Sequence, residues 1–176
     1  MIKPPETIFA FIDSQNLKRG VENQIYDKRG DLIYPGWPLS FKKLRLYLKN
    51  KFKVSKAFLF IGRVPGNESL YADLASFGYQ MVYKPTLQFT NPSGALETKG
   101  NVDAELVLHT MIEFRNYDKA IIVAGDGDYF CLVEYLEKRH KLGNLLIPNK
   151  NRYSKLLNPF AKYMVFISDL ESSLRR

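Results

Sequence analysis

Four aspartates hold the chemistry this sequence could perform: Asp13, Asp103, Asp126 and Asp128. Asp13 follows the apolar run Thr7-Ile-Phe-Ala-Phe-Ile12. Asp126 and Asp128 sit in Gly125-Asp-Gly-Asp128, just after Ala120-Ile-Ile-Val-Ala124, and Asp103 lies in the first turn of a helix-period segment. Clustered carboxylates repel one another and resist ionisation unless a cation neutralises them. An all-oxygen donor set suits Mg²⁺ or Mn²⁺. Such an ion can orient a water, lower its pKa and stabilise the oxygens of an in-line phosphoryl displacement. Each aspartate also has a structural role open to it. Asp103 and Glu105 would favour a helix macrodipole, and Asp13 or Gly125-Asp-Gly-Asp128 could cap the helix that follows.

The elements that must position these residues alternate. Thr7–Ile12, Val54–Ile61, Tyr79–Tyr83, Ala120–Ala124, Leu142–Ile147 and Tyr163–Ile167 are short, apolar and β-prone. Helix-period segments lie between them. Phe41 to Phe52 carries Leu44, Leu48 and Phe52 on one face, and Ser69 to Phe77 is closed by Gly78. Val102 to Phe114 is capped by Asn101, and Tyr129, Leu132, Val133 and Leu136 mark the buried stripe of another helix. The alternation predicts an α/β fold, a mostly parallel central sheet with helices on both faces, over residues 1–176 as one domain. Gln24 to Pro38 reads as a loop, and Pro85 to Lys99 as a small hairpin turning at Asn91-Pro-Ser-Gly94. Working sites in such sheets lie outside the strands' carboxyl ends, where three strand-to-helix junctions deliver these aspartates. Asp103 borders the stripe of Val107, Met111 and Phe114 whereas Glu105 points away, so Asp103 is the better ligand.

Composition narrows the function. The net charge of +8 attracts polyanions, and nucleic acid is the commonest. No stretch reaches the roughly 18 apolar residues that span a bilayer, so no membrane partner is expected. No signal-peptide pattern follows Met1, and the single cysteine, Cys131, excludes an internal disulfide and a cysteine metal cluster. The expected location is the cytoplasm. Cys131 is expected to pack within its helix, and the basic face of Lys42, Lys43, Arg45, Lys49 and Lys51 to be a solvated surface. An EF-hand starting at Asp126 fails at Phe130 and Cys131, and no Walker A or full dinucleotide fingerprint occurs. His109 and His140 have no nucleophile to serve. Lys18, Arg152 and Lys155 lie near strand carboxyl ends and are candidates for phosphate contact.

In order along the chain, these residues resemble the NYN domain, the LabA-like branch of the PIN nuclease superfamily. Phe11-Ile-Asp-Ser-Gln-Asn16 is similar to the family's opening strand, which ends in aspartate with asparagine three residues on. Lys99-Gly-Asn-Val-Asp103 follows. Ile121-Ile-Val-Ala-Gly-Asp-Gly-Asp-Tyr-Phe130 then resembles the "SGDSDF" block, with Ala124 for the usual serine and Tyr129 before the phenylalanine. Ser154 and Leu157 sit as in the closing segment. The resemblance implies a PIN-like fold, a divalent metal and cleavage of RNA. It implies metal ligation by Asp13, Asp103 and Asp126 with Asp128 beside them, and a positioning or substrate role for Asn16 and Ser154. The family often has an aspartate where His109 stands and an acidic residue near Lys162, departures that would weaken activity if either position serves the metal.

The expectation is therefore a ribonuclease using Mg²⁺ or Mn²⁺ on single-stranded RNA, with room for a homodimer. A Toprim-like phosphoryl-transfer enzyme is the first alternative, though it wants glutamate where Asp13 stands. A catalytically silent RNA- or partner-binding module is the second, kept open by Ala124, His109 and Lys162.

Overall fold

The structure is a computed structural model describing the backbone of residues 5–85, 87–90, 96–99 and 102–176, and the side chains among these outside 87–90 and 96–99. In chain order the elements are β1 (Ile8–Asp13), α1 (Ser14–Glu22), β2 (Ile25–Tyr26), β3 (Leu32–Tyr34), α2 (Phe41–Phe52), β4 (Val54–Arg63), α3 (Glu68–Ser76) and β5 (Tyr79–Pro85). There follow β6 (Leu87–Thr90), β7 (Leu96–Lys99), α4 (Asp103–Ile112), β8 (Lys119–Val123), α5 (Phe130–Lys138), β9 (Leu142–Ile147), β10 (Met164–Phe166) and α6 (Glu171–Leu174).

Six of the strands form one sheet in the order β10-β9-β8-β1-β4-β5, with every neighbouring pair parallel. Because side chains alternate along a strand, each apolar run feeds two cores. Phe9 and Phe11 enter one with Phe58, Phe60 and Ile122, under Leu106 of α4 and Leu132, Val133 and Leu136 of α5. Ala10 and Ile12 enter the other with Leu59, Ile121 and Val123, under Leu17 and Val21 of α1 and Leu44 and Leu48 of α2. Burial on both faces is why the strands read as continuous apolar runs.

From β1 the chain winds outward through β4 and β5, then returns to lay β8, β9 and β10 on the other side. The order thus reverses between β1 and β8, and diverging connections leave a crevice at their carboxyl ends. Asp13 ends β1, and Asp126 lies just past β8.

Some local expectations change. Gln24 to Pro38 contains the antiparallel ribbon β2–β3, and it is anchored rather than loose. Trp37 is buried, and the Tyr34 hydroxyl donates to the Val21 carbonyl at 2.7 Å. Gly36 has φ +70°, and a Cβ there would come within 2.2 Å of the Glu22 carbonyl oxygen, so this close crossing requires glycine. The hairpin of β6 and β7 forms as expected; its turn, Asn91 to Gly94, and the proposed cap Asn101 lie outside the described residues. Val102 takes the cap position of α4 and makes no side-chain cap bond. Cys131 is solvent-exposed rather than packed. At about 100° per residue it falls nearly opposite the stripe of Leu132, Val133 and Leu136. On the basic face of α2, Arg45 is committed to backbone carbonyls, 3.0 Å from Gly78 and 3.3 Å from Ser55.

Candidate active site

Asp13 shares strand parity with Phe9 and Phe11, so it leans toward the face covered by α4 and α5. It also caps α1. Its Oδ1 accepts the backbone N–H groups of Gln15 at 3.0 Å and Asn16 at 2.9 Å. Its Oδ2 accepts from the Tyr129 hydroxyl at 2.9 Å, and that hydroxyl lies 2.5 Å from Oδ1 of Asp103. Capping and site membership are therefore one role for Asp13: the cap aims the carboxylate.

Tyr129 stands between two carboxyl groups with one proton to give. Both contacts are hydrogen bonds at once only when a carboxyl holds a proton of its own and donates it back. The environment supports that state. Burial raises the Asp13 carboxyl above its ordinary range, outweighing the N–H of Asn16 and the Tyr129 hydroxyl, and nearby Asp103 raises it further. Burial and then Asp13 push the Tyr129 phenol up, so it stays protonated.

Asp126 and Asp128 complete the acidic edge from the short 3₁₀ turn Gly127–Tyr129, which α5 follows. Asp126 Oδ1 accepts the Asp128 N–H at 3.2 Å. Asp128 is fully exposed, yet its carboxyl is raised by the charge of Asp126 and then of Asp103, a measure of how crowded this edge is. Asn16 ties the two strand ends together, its Oδ1 accepting the Gly125 N–H at 2.9 Å. The Ser154 N–H donates to the Gly125 carbonyl at 2.8 Å, fastening the segment after β9 to the same loop.

Most of these groups line a cleft of about 790 Å³ whose walls include Asp13, Asn16, Arg19, Asp103, Asp126, Arg152, Tyr153 and Ser154. The structure thus brings Asp13, Asp103, Asp126, Asn16, Arg152 and Ser154 together, with Asp128 beside Asp103. Three candidates lie off the wall, Asp128 beside Asp103 and two lysines. Lys18 pairs with Glu22 at 3.9 Å one turn along α1, and Lys155 is exposed at the start of the next 3₁₀ segment. Neither departure from the family pattern lines the cleft. His109 packs against the rings of Phe58 and Phe60, at 5.9 and 5.7 Å, and Lys162 pairs with Glu137 at 2.9 Å.

Arg19 on the cleft wall and the Tyr129 hydroxyl between Asp13 and Asp103 are among the site features that local sequence does not reveal. Arg19 sits one residue from Lys18, and only the placement of α1 decides which faces inward. Tyr129 was legible as a buried residue, but its hydroxyl contacts span 116 and 26 positions of sequence.

Gly127 has a local reason: a Cβ there would lie 2.6 Å from Ser154 Oγ and 3.1 Å from Leu156 Cδ1. Gly127→Ala is expected to destabilise the protein by about 1–2 kcal/mol through overpacking, and Ser154→Ala to recover much of that. Urea unfolding of both single variants and the double measures the coupling. Strict additivity would show that the crowding has no energetic consequence.

Comparison with known proteins agrees with this architecture. A crystal structure of a protein of unknown function from Vibrio parahaemolyticus superimposes with a TM-score of 0.70 at 21% identity, covering 99% of each chain. At that identity the likeness speaks to the fold. No curated protein sequence matches the chain. The model of the NYN domain matches residues 7–168, from the first strand through the last. The chain therefore belongs to the NYN domain family, within the PIN-like nuclease superfamily.

Proposed function

We propose that this protein is a metal-dependent ribonuclease of the LabA-like branch, hydrolysing phosphodiester bonds in single-stranded RNA. One observation carries the reading most of all. Asp13 and Asp103 meet on a single hydroxyl at the crevice where strand order reverses, with Asp126 on the same wall. Four acidic groups gathered in a chain of net charge +8 make sense if a cation converts that edge into a seat for phosphate.

Asp13, Asp103 and Asp126 would hold Mg²⁺ or Mn²⁺, with Asp128 acting directly or through water. Among the described residues no three acidic, histidine or cysteine groups close into a ready metal cage. An open oxygen set suits an ion that keeps several waters and leans on one or two carboxylates plus substrate phosphates. When bound, such a cation supplies charge neutralisation for the phosphodiester and lowers the pKa of the attacking water.

The remaining work falls to the chain itself. Asn16 holds the Gly125–Asp126 loop against α1 and so fixes the span between Asp13 and Asp126. Ser154, on the cleft wall, would help orient the substrate phosphate toward the aspartates, and Arg152 on the same wall would contact phosphate of the strand. Lys18 and Lys155 add to the field that draws RNA without reaching the cleft.

Labelled single-stranded RNA incubated with Mg²⁺, with Mn²⁺ and with EDTA tests the proposal. Cleavage is expected in either metal and none in EDTA. RNA bound but left intact in both metals would support the silent module instead. With the chain in the NYN family, nothing observed favours the Toprim-like alternative.

A further inference from the structure

We propose that Arg19 and Arg152 form a subsite for a second phosphate of the substrate strand, adjacent to the phosphodiester seated at the aspartates. The inference rests on the ribonuclease reading and extends it along the strand. Both arginines line the cleft that holds Asp13, Asp103 and Asp126. Two lysines near this edge are committed elsewhere, Lys18 to Glu22 and Lys150 to Asp169 at 2.7 Å. Arg19 and Arg152 make no ion pair or side-chain hydrogen bond among the described residues, although acidic groups share their cleft.

Their joint presence is built in. Gly20, next to Arg19, lies so close to the loop after β9 that a Cβ would fall 2.5 Å from Pro148 Cβ. Asn149 is fully buried; its Nδ2 donates to the Gly20 carbonyl at 2.9 Å and its Oδ1 accepts the Asn151 N–H at 2.9 Å. That buried amide locks α1 to the loop carrying Arg152 and sets both arginines on one wall. Two guanidinium groups repel unless an anion sits near both, and their planar donor forks match phosphate oxygens. A lone anion would meet the acidic edge alongside. A strand whose phosphates repeat can lay one at the aspartates and the next between the arginines.

The test is anisotropy of a short fluorescein-labelled oligouridine in EDTA across a salt series, where no catalysis is needed. Wild type, Arg19→Gln, Arg152→Gln and the double variant are compared with Arg115→Gln, an exposed arginine beyond α4 at the opposite end of the strands. Each cleft variant should weaken binding about threefold to tenfold, and the double, which loses one phosphate contact, should flatten the plot of log affinity against log salt by about 0.7. Arg115→Gln should change affinity by less than about twofold. A double variant with wild-type affinity and slope overturns the subsite, as does equal damage from Arg115→Gln or failure of the wild type to bind. Arginine-dependent binding by a wild type that cuts no RNA in metal would leave the subsite standing and sink the nuclease reading. Cleavage that ignores both arginines would do the reverse.

Discussion

Asp13→Asn should abolish metal-dependent cleavage yet leave the metal-free protein at least as stable as the wild type. The Asp13 carboxyl is raised in the folded state, chiefly by burial, so the folded protein holds that proton more tightly than the unfolded chain, where the value is near 3.8. The resulting stability is fully present below the unfolded pKa and is lost as pH rises through the folded one. Wild type should therefore lose stability between acid and neutral pH in EDTA, and Asp13→Asn should lose less. An asparagine amide reproduces the protonated arrangement. Its oxygen can accept the Gln15 and Asn16 N–H groups, and its nitrogen can donate to Tyr129, freeing the phenol proton for Asp103. Asparagine is also as good a helix cap as aspartate. What it removes is a charge that would hold the cation, for a loss of activity on the order of 10²–10³-fold or more. Single-turnover cleavage, with calorimetry in EDTA at acid and neutral pH, reads both effects. Cleavage surviving in folded Asp13→Asn would remove Asp13 from the chemistry. A variant less stable than wild type at every pH would make the carboxylate structural.

Tyr129→Phe should act in the opposite sense, destabilising the metal-free protein while enlarging its response to metal. The Tyr129 hydroxyl is the one group that touches both Asp13 and Asp103 among the hydrogen bonds of the described residues. Without it, Asp13 Oδ2 and Asp103 Oδ1 lose their shared donor, and a buried carboxylate oxygen faces an apolar ring. Leaving a buried acceptor unmatched costs about 1–3 kcal/mol, more when it is charged. A bound cation restores a counter-charge, so the stabilisation by Mg²⁺ or Mn²⁺ should exceed that of wild type. Thermal unfolding with EDTA and with each metal decides the matter. Equal stability in EDTA and an equal metal response would show that the hydroxyl contacts carry no energy.

Local pattern alone determined the strands, most helices and the edge where function gathers. The apolar runs became the six parallel strands within a residue or two, because a strand buried on both faces needs near-continuous apolar sequence. The bounds of α2 match its periodicity, since Leu44 and Leu48 recur one helical turn apart and both are buried. Alternation of strand and helix was enough to send Asp13, Asp103 and Asp126 to one edge. Tertiary structure decided the rest, because no local period encodes which strands are neighbours or how a helix rotates on its sheet. It set the reversal between β1 and β8. It turned Arg19 rather than Lys18 into the cleft, and it withdrew His109 onto Phe58 and Phe60. The two-residue strand of the β2–β3 ribbon is too short to show alternation, and its anchoring depends on packing against α1. The Tyr129 hydroxyl is the clearest case: its buried ring follows from the helix stripe, but two carboxylates reach it only after β1, α4 and the turn beyond β8 have packed together.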